Sequence, residues 1–179
     1  MLALKKLNSA DALGSFAMRV EEAMHVRLPI EYLQRGDVVA WMADDQSIVA
    51  GFALILDPPF RVLTVIPESN YDDWFRDQLA EGRVAEINGV FVTDKAKGAV
   101  SGASLLCEAA KHIVASGRTC ILFGYNKEKV RLRQLWNRPF LDPVCLLDGT
   151  VAPPTGYTTS TNVYMGYFRS DQIKRAFKL

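Results

Sequence analysis

The sequence predicts a mixed α/β (α+β) fold in which a central, mostly antiparallel sheet contains a strand–helix–strand core and flanking helices. Two apolar runs within residues 37–56 are separated by a polar turn, the pattern of an antiparallel hairpin. Residues 83–125 then read as strand, helix and strand, the order of a crossover unit. Two further strand-like runs follow at 144–147 and 162–168. Antiparallel neighbours around one crossover unit favour a mixed sheet.

Composition bounds the class of protein. The chain has 179 residues, 49% hydrophobic and 23% charged, as expected for one globular domain spanning 1–179. No apolar run approaches the roughly 18 residues of a membrane span. Three cysteines without CxxC spacing, Cys107, Cys120 and Cys145, indicate reduced thiols and a cytoplasmic protein. With only His25 and His112 besides, we expect no metal site.

The near-neutral net charge of +1 hides an asymmetry along the chain. Residues 1–90 hold 8 Lys/Arg against 14 Asp/Glu, whereas residues 91–179 hold 13 against 6. Two interpretations remain open: a solvated surface charged by chance, or a second half that receives an anion, either nucleic acid or a polyphosphorylated cofactor.

The first elements follow from periodicity. Apolar residues recur at helical spacing within 8–27, and Ser9 is a weak N-cap, so one or two helices are expected to begin the chain. The hairpin comes next, with its turn at residues 44–46 and its second strand ended by Asp57 and two prolines.

Residues 57–82 form a long excursion before the next strand and are interpreted as an insertion. Within it, residues 61–66 are apolar enough for another strand, and residues 69–82 carry early acids and a closing glycine, which suits a short helix. The insertion either lines an acceptor pocket or is a plain surface excursion.

The stretch 83–94 reads as a strand interrupted by Asn88-Gly89. Asn-Gly between two apolar runs is a strong hairpin signal, but a glycine also fits a bulge within one strand. From these residues both interpretations remain open; a hairpin would remove Glu86 and the following loop from a single strand.

The rest of the chain continues the alternation. Apolar positions cover one face of residues 102–116, which predicts an amphipathic helix, and 119–125 is a buried strand. A helix is expected over 126–138, and a Pro/Gly/Thr-rich loop over 150–161 separates the last two strands.

The turn between the strand at 83–94 and the helix at 102–116 is the stretch that carries chemistry. A helix N-terminus offers unpaired amides and a positive dipole end. Small residues allow a phosphate to reach those amides, and two lysines add positive charge beside them. The turn is either an anion site or an ordinary helix cap. Its small residues and lysines are Lys95, Lys97, Gly98, Ala99, Ser101 and Gly102.

This stretch resembles the signature loop of the GNAT superfamily of acyl-CoA-dependent N-acyltransferases, Val-x-Pro-x-x-(Arg/Gln)-Gly-x-Gly-x-(Gly/Ala). The chain reads VTDKAKGAVSG over residues 92–102, followed by a Leu-Leu pair. It keeps the first valine, a basic residue and the glycine after it. It departs at Asp94, where proline is usual, and at Val100, where a Cβ is expected to push a pyrophosphate outward. The order of elements over residues 1–168 is also similar to this family, and only a bulge at Asn88-Gly89 accommodates that order, so the resemblance favours the bulge.

The resemblance implies acetyl-CoA or another acyl-CoA as co-substrate. The backbone of the strand would hold the pantetheine, the loop amides and Lys97 the pyrophosphate, and residues after the following strand the rest of the cofactor. The residues implied for this are Val90, Phe91, Val92, Lys97, Gly98, Ala99, Val100, Ser101, Gly102, Asn126 and Lys129.

The resemblance also implies catalytic roles. Glu86 falls where many members carry the general base, acting through water, and an amide near Val90 or Phe91 would polarise the thioester oxygen. The tyrosine that serves as general acid is replaced by Trp136, which has no titratable proton. Tyr125 is the substitute considered, with a strand-end packing role as its alternative.

The function predicted on these grounds is transfer of an acyl group to an amine of a small molecule or protein by direct attack. The alternative is a GNAT-like module that has lost catalysis and acts through protein contacts, which Val100 and Trp136 favour. Nucleic-acid binding ranks below both, because no recognition motif accompanies the basic half. We expect no membrane partner, and a homodimer is left open.

Overall fold

The computed structural model describes residues 2–128, 139–152 and 160–179. Its contacts divide the chain into a first unit, comprising the chain up to Pro58 together with Ile87–Ser116, and a second unit, comprising Pro59–Glu86 and Gly117–Leu179. The seven strands lie in the order β1-β2-β3-β4-β5-β7-β6, and β4 contributes residues to both units. The strands are β1 (Ala3–Leu7), β2 (Gly36–Met42), β3 (Ile48–Ile55), β4 (Val84–Val92), β5 (Cys120–Asn126), β6 (Val144–Val151) and β7 (Thr161–Arg169). The α-helices are α1 (Ala10–Met24), α2 (Ile30–Leu33), α3 (Asp73–Ala80), α4 (Gly102–Ala115) and α5 (Ser170–Phe177).

The mixed sheet confirms the predicted fold class. Strands β1, β2 and β3 pair antiparallel, as do β5, β7 and β6, whereas β4 pairs parallel with β5. Two parallel strands must be joined by a long crossover connection, usually an α-helix. Helix α4 lies between β4 and β5 in the chain and supplies that connection.

In the first unit the predicted hairpin is β2 and β3. Strand β3 is buried at all of its positions, whereas β2 is buried at the centre only. The turn is closed by Asp45, whose carboxylate accepts from the amide of Ser47 at 3.0 Å, and Gln46 adopts a φ of 62°. Helix α1 buries Leu13 and Phe16 on its inner face. Ser9 caps it by accepting from the amide of Ala12 at 3.2 Å, as predicted.

The expectation that a helix begins the chain is wrong, because β1 precedes α1. Four of the five residues of β1 are exposed, so the strand shows no buried apolar alternation for a sequence pattern to detect. Its place is set by pairing with β2, in the register Ala3↔Met42 to Leu7↔Val38.

Strand β4 runs without a turn from Val84 to Val92, so the hairpin alternative at Asn88-Gly89 is wrong. Gly89 adopts a φ of +59° inside the strand, a bulge-like geometry that favours glycine. A Cβ there would approach side-chain atoms of Leu28, Val20 and Phe16 at 3.1, 3.2 and 3.3 Å. Conformation and packing therefore both select glycine at this position.

In the second unit β5, β7 and β6 frame an aromatic core. The rings of Phe123 and Phe168 stack with centroids 4.3 Å apart. Tyr167 stacks on Phe75 of α3 at 5.4 Å and donates its hydroxyl to Asp72 at 2.7 Å. Asp72 is also the N-cap of α3, the helix predicted within 69–82.

Residues 61–66 are not the strand that their apolar character suggested. Val62–Thr64 is a 3₁₀ turn, and Val62 and Ile66 are buried while Thr64 between them is exposed. Burial four residues apart is helical spacing, whereas a strand would have buried Thr64 as well. The Thr64 hydroxyl instead donates to the carbonyl of Arg61 at 2.7 Å.

The C-terminal part contains one element that the sequence pattern did not predict, α5, which follows β7 directly. The helix expected over 126–138 and the loop expected over 150–161 lie largely outside the described residues. No helix in the described part of the chain is both long and apolar enough to cross a membrane.

Candidate functional site

The loop between β4 and α4 is built mainly from local hydrogen bonds. Thr93 opens it, donating both its amide and its hydroxyl to the carbonyl of Val49, at 2.8 and 2.9 Å. Asp94–Ala96 then form a 3₁₀ turn, and the buried Ala96 anchors its end. The loop ends at Ser101, the N-cap of α4.

Most amides of this loop already have acceptors. The amides of Ala99 and Val100 both donate to the carbonyl of Ala96, at 3.0 and 2.9 Å. Ser101 and Ser104 form a capping box in which each amide donates to the other's hydroxyl at 3.0 Å. Towards the helix, the amides of Gly98, Gly102 and Ala103 have no acceptor among the described residues. An anion at the start of α4 would therefore meet the N–H groups of Gly102 and Ala103.

The two departures from the signature loop have different consequences. Val100 is 4% exposed, so its side chain is buried in the protein and adds no bulk to the outer surface of the loop. This burial argues against the expectation that its Cβ would push a pyrophosphate outward. Asp94 does alter the outer surface, because its carboxylate pairs with the Lys97 ammonium at 2.6 Å. Lys95 pairs in turn with Asp45 at 3.7 Å.

The end of β4 presents backbone rather than side-chain chemistry. Phe91 is 5% exposed, and its ring lies 5.6 Å from that of Phe16. Val90 and Val92, which alternate with it, are half-buried. Any contact that Phe91 makes with a ligand would therefore come through its main chain.

Glu86 is fully buried, with 0% exposure, in the second unit. It lies opposite Leu122 in the last of the three residue pairs that join β4 to β5. Its Oε2 accepts a hydrogen bond of 2.6 Å from the backbone amide of Arg61. This contact is not predictable from the sequence, because no local pattern links Arg61 with Glu86, which lie 25 positions apart.

Tyr125 and Asn126 close β5 in the same unit. Tyr125 is half-buried and stacks on its cross-strand partner Tyr164, with ring centroids 5.5 Å apart. Desolvation, followed by the neighbouring Cys145, raises the pKa of Tyr164 to about 12. The Asn126 side-chain oxygen accepts from the amide of Glu128 at 2.9 Å and so turns the chain. Lys129 and Trp136 lie outside the described residues.

No protein-family profile matches the chain, and no curated protein sequence matches it either. Solved structures do. The ribosomal-protein-S18-alanine N-acetyltransferase from Escherichia coli superposes with a TM-score of 0.62 at 9% identity, covering 94% of each chain. A GNAT-family acetyltransferase from Staphylococcus aureus gives a TM-score of 0.57 at 11% identity, over 95% of this chain and 99% of that one. Mutant forms of the spermidine/spermine N-acetyltransferase from Vibrio cholerae give 0.59 at 11% identity, over 98% of both chains.

This chain has the GNAT fold. The predicted resemblance is thereby confirmed at the level of architecture, and such low identities carry no substrate or mechanism. Among the predicted site residues, the GNAT loop and the end of β4 belong to the first unit, whereas Glu86, Tyr125 and Asn126 belong to the second.

The loop of this GNAT fold has features that suit an anion. The amides of Gly102 and Ala103 at the start of the 14-residue helix α4, and the amide of Gly98 before it, have no acceptor in the described part of the chain, and the same loop carries Lys97, which is paired with Asp94. Gly98 adopts a φ of +89°, and a Cβ there would have no heavy atom within 4 Å, so the space outside the loop is open. Amides, positive charge and open space are what a diphosphate requires.

Proposed function

We propose that this protein is an acyl-CoA-dependent N-acyltransferase that moves an acetyl or other acyl group to an amine. The observation that carries the proposal is the GNAT fold together with the amides of Gly102 and Ala103 at the start of α4 and of Gly98 before it, which have no acceptor among the described residues. The similar structures include enzymes named for a protein alanine and for a polyamine, so the acceptor class stays open.

The binding part of the proposal assigns acyl-CoA to main-chain groups. The pantetheine would lie along the backbone of Val90, Phe91 and Val92, and the pyrophosphate on residues 97–103. Asn126 and Lys129 are assigned to the rest of the cofactor. These assignments come from the resemblance, and the loop geometry supports the pyrophosphate part.

The catalytic part of the proposal assigns to Glu86 the role of general base. The amine nitrogen bonds to the thioester carbon, the C–S bond breaks, and the thiolate of coenzyme A leaves. The proton of the amine passes to Glu86 through water, the route that the resemblance implies for this carboxylate. Tyr125 is assigned as the acid that protonates the thiolate, although such a leaving group, with a pKa near 8.5 for a free thiol, needs little help.

The first test is a thermal shift with acetyl-CoA. Ligand at about 100 times its dissociation constant stabilises the folded state by about 2.7 kcal/mol, which raises the Tm of a chain this size by several degrees. Lys97→Glu is expected to abolish the shift. Lys95→Glu makes the same charge change in the same loop at a lysine that pairs with Asp45 and is not assigned to the pyrophosphate, so it should retain more of the shift than Lys97→Glu does. An unshifted wild type contradicts the proposal.

The second test is turnover, followed as thiol release with a panel of small amines, polyamines and N-terminal peptides. Glu86→Gln is expected to lose turnover by about 100-fold or more while retaining the acetyl-CoA thermal shift. Tyr125→Phe should lose less. A protein that binds acetyl-CoA but releases no thiol with any amine would instead be the catalytically inactive GNAT-like module.

A further inference from the structure

Glu86 has a structural partner that its proposed role does not explain. Its Oε2 accepts from the backbone amide of Arg61 at 2.6 Å, across a sequence separation of 25 residues. We propose that the Arg61 amide is the positioning group of Glu86 and fixes the orientation of its carboxylate for proton transfer. This inference rests on the proposed function, and it makes the segment that begins at Pro59 part of the catalytic apparatus.

A backbone amide positions more strictly than a side chain does. Arg61 lies at the start of the 3₁₀ turn Val62–Thr64, and its carbonyl accepts from both the amide and the hydroxyl of Thr64, at 3.1 and 2.7 Å. The donor that meets Glu86 is a main-chain N–H, which has no side-chain torsion of its own. The direction of the Arg61 N–H is therefore set by the turn.

Buried apolar side chains hold this 3₁₀ turn in place. Phe60, Val62 and Ile66 are all buried, one on each side of Arg61 and one at the end of the segment. The segment thus has its own attachment to the second unit, independent of Glu86. This matters for the experiment, because the amide can be removed without releasing the segment.

The partnership suits a carboxylate that must keep one geometry. A hydrogen bond from an N–H to a carboxylate is shorter and stronger than one between neutral groups, as the 2.6 Å separation reflects. It commits Oε2 to an acceptor role and so limits rotation of the carboxyl group. Arrangements of this kind are what hold a general base within reach of its proton.

Proline at position 61 removes the N–H that donates to Glu86 and keeps a φ that position 61 already has. Arg61 has a φ of −65°, the value that the proline ring imposes, and proline has no N–H. Arg61→Ala is the matched control, because it removes the same side chain but keeps the amide. We expect Arg61→Pro to lower kcat about 10-fold or more relative to Arg61→Ala, with the KM for acetyl-CoA unchanged within about 2-fold.

A loss in kcat with an unchanged KM distinguishes a role in positioning Glu86 from general misfolding. General disruption of the segment would lower the Tm and alter both constants, so the Tm of both variants is measured alongside. Equal kcat values for Arg61→Pro and Arg61→Ala would overturn the inference. So would a loss in Arg61→Pro that appears in KM rather than in kcat.

Hydrogen exchange tests the contact without using activity. The Arg61 amide should exchange at least about 10-fold more slowly in the wild type than in Glu86→Ala, since that variant has no acceptor. Glu86→Gln keeps a side-chain oxygen and should retain most of the protection. Equally fast exchange in all three proteins would overturn the contact and the inference with it.

The two experiments also distinguish this inference from the proposed function. A wild type that turns over no amine would remove the proposed function and the catalytic consequence drawn from it. Protection of Arg61 that depends on Glu86 would then leave the contact as a structural anchor only.

Discussion

The loop after β4 and the carboxylate of Glu86 lie close in sequence but are built in opposite ways. From Asp94 to Ser104 the hydrogen bonds join residues three or four positions apart, and the charged side chains are exposed. Glu86 is fully buried, and its described partner comes from 25 residues away. A loop made by local turns is exposed and depends little on the packing of the core, whereas a buried carboxylate is tied to the packing of its unit.

The largest difference between the two regions should appear on truncation of Glu86. Glu86→Ala leaves the Arg61 amide without its buried acceptor and opens a small cavity, which should lower the free energy of unfolding by about 2–4 kcal/mol. Urea unfolding measures it. Lys97→Ala, the exposed counterpart in the loop, should change stability by less than about 0.5 kcal/mol. Equal losses in the two variants would contradict the contrast.

Tyr167→Phe tests a second long-range contact of the buried kind. Desolvation and the hydrogen bond to Asp72 raise the pKa of Tyr167, and that bond spans 95 residues to the N-cap of α3. Losing the hydroxyl should cost about 1–2 kcal/mol in the free energy of unfolding, measured by urea at pH 7. Tyr164→Phe, at a half-buried tyrosine of the same strand, is the control and should cost less.

How much could be predicted from sequence follows the same division. The hairpin, α3, α4 and the loop can be predicted from short stretches of sequence. Their signals are apolar runs around a polar turn, helix-capping residues and small residues. Strand β1 could not be detected, because its exposed side chains show no period and its pairing partner lies more than thirty residues on. Residues 61–66 were assigned to a strand because apolar content alone does not distinguish alternation from helical spacing.

The candidate site divides likewise. The predicted phosphate loop could be found because its amides, glycine and lysine are contiguous in the chain. The Arg61–Glu86 contact could not, since a backbone amide has no residue-type signature and tertiary packing brings the two groups together. The buried orientation of Val100 also depends on packing, which a comparison of the loop sequence with the GNAT signature does not reveal.

Gly98→Ala examines backbone conformation in the loop separately from packing. Gly98 has a φ of +89°, but a Cβ there would meet no heavy atom within 4 Å. The cost should therefore be backbone strain alone, about 1 kcal/mol in the free energy of unfolding. Gly89→Ala adds close contacts to the same kind of strain and should cost clearly more. Urea unfolding of the two variants that gave the reverse order would contradict this account.

The smallest expected effect concerns the charge of Asp94, which stands where the GNAT signature loop has proline. Asp94 holds the Lys97 ammonium at 2.6 Å in an exposed ion pair, and an approaching phosphate must compete with that carboxylate. Exposed pairs contribute up to about 1 kcal/mol, so Asp94→Asn should tighten acetyl-CoA binding by about 2- to 5-fold, measured by calorimetry. The gain should shrink as salt is added, because the charges are exposed. Asp45→Asn, which frees Lys95 from a longer pair of 3.7 Å, is the matched control and should change affinity less. Weaker binding in Asp94→Asn would mean that the carboxylate orders the loop for the phosphates rather than competing with them.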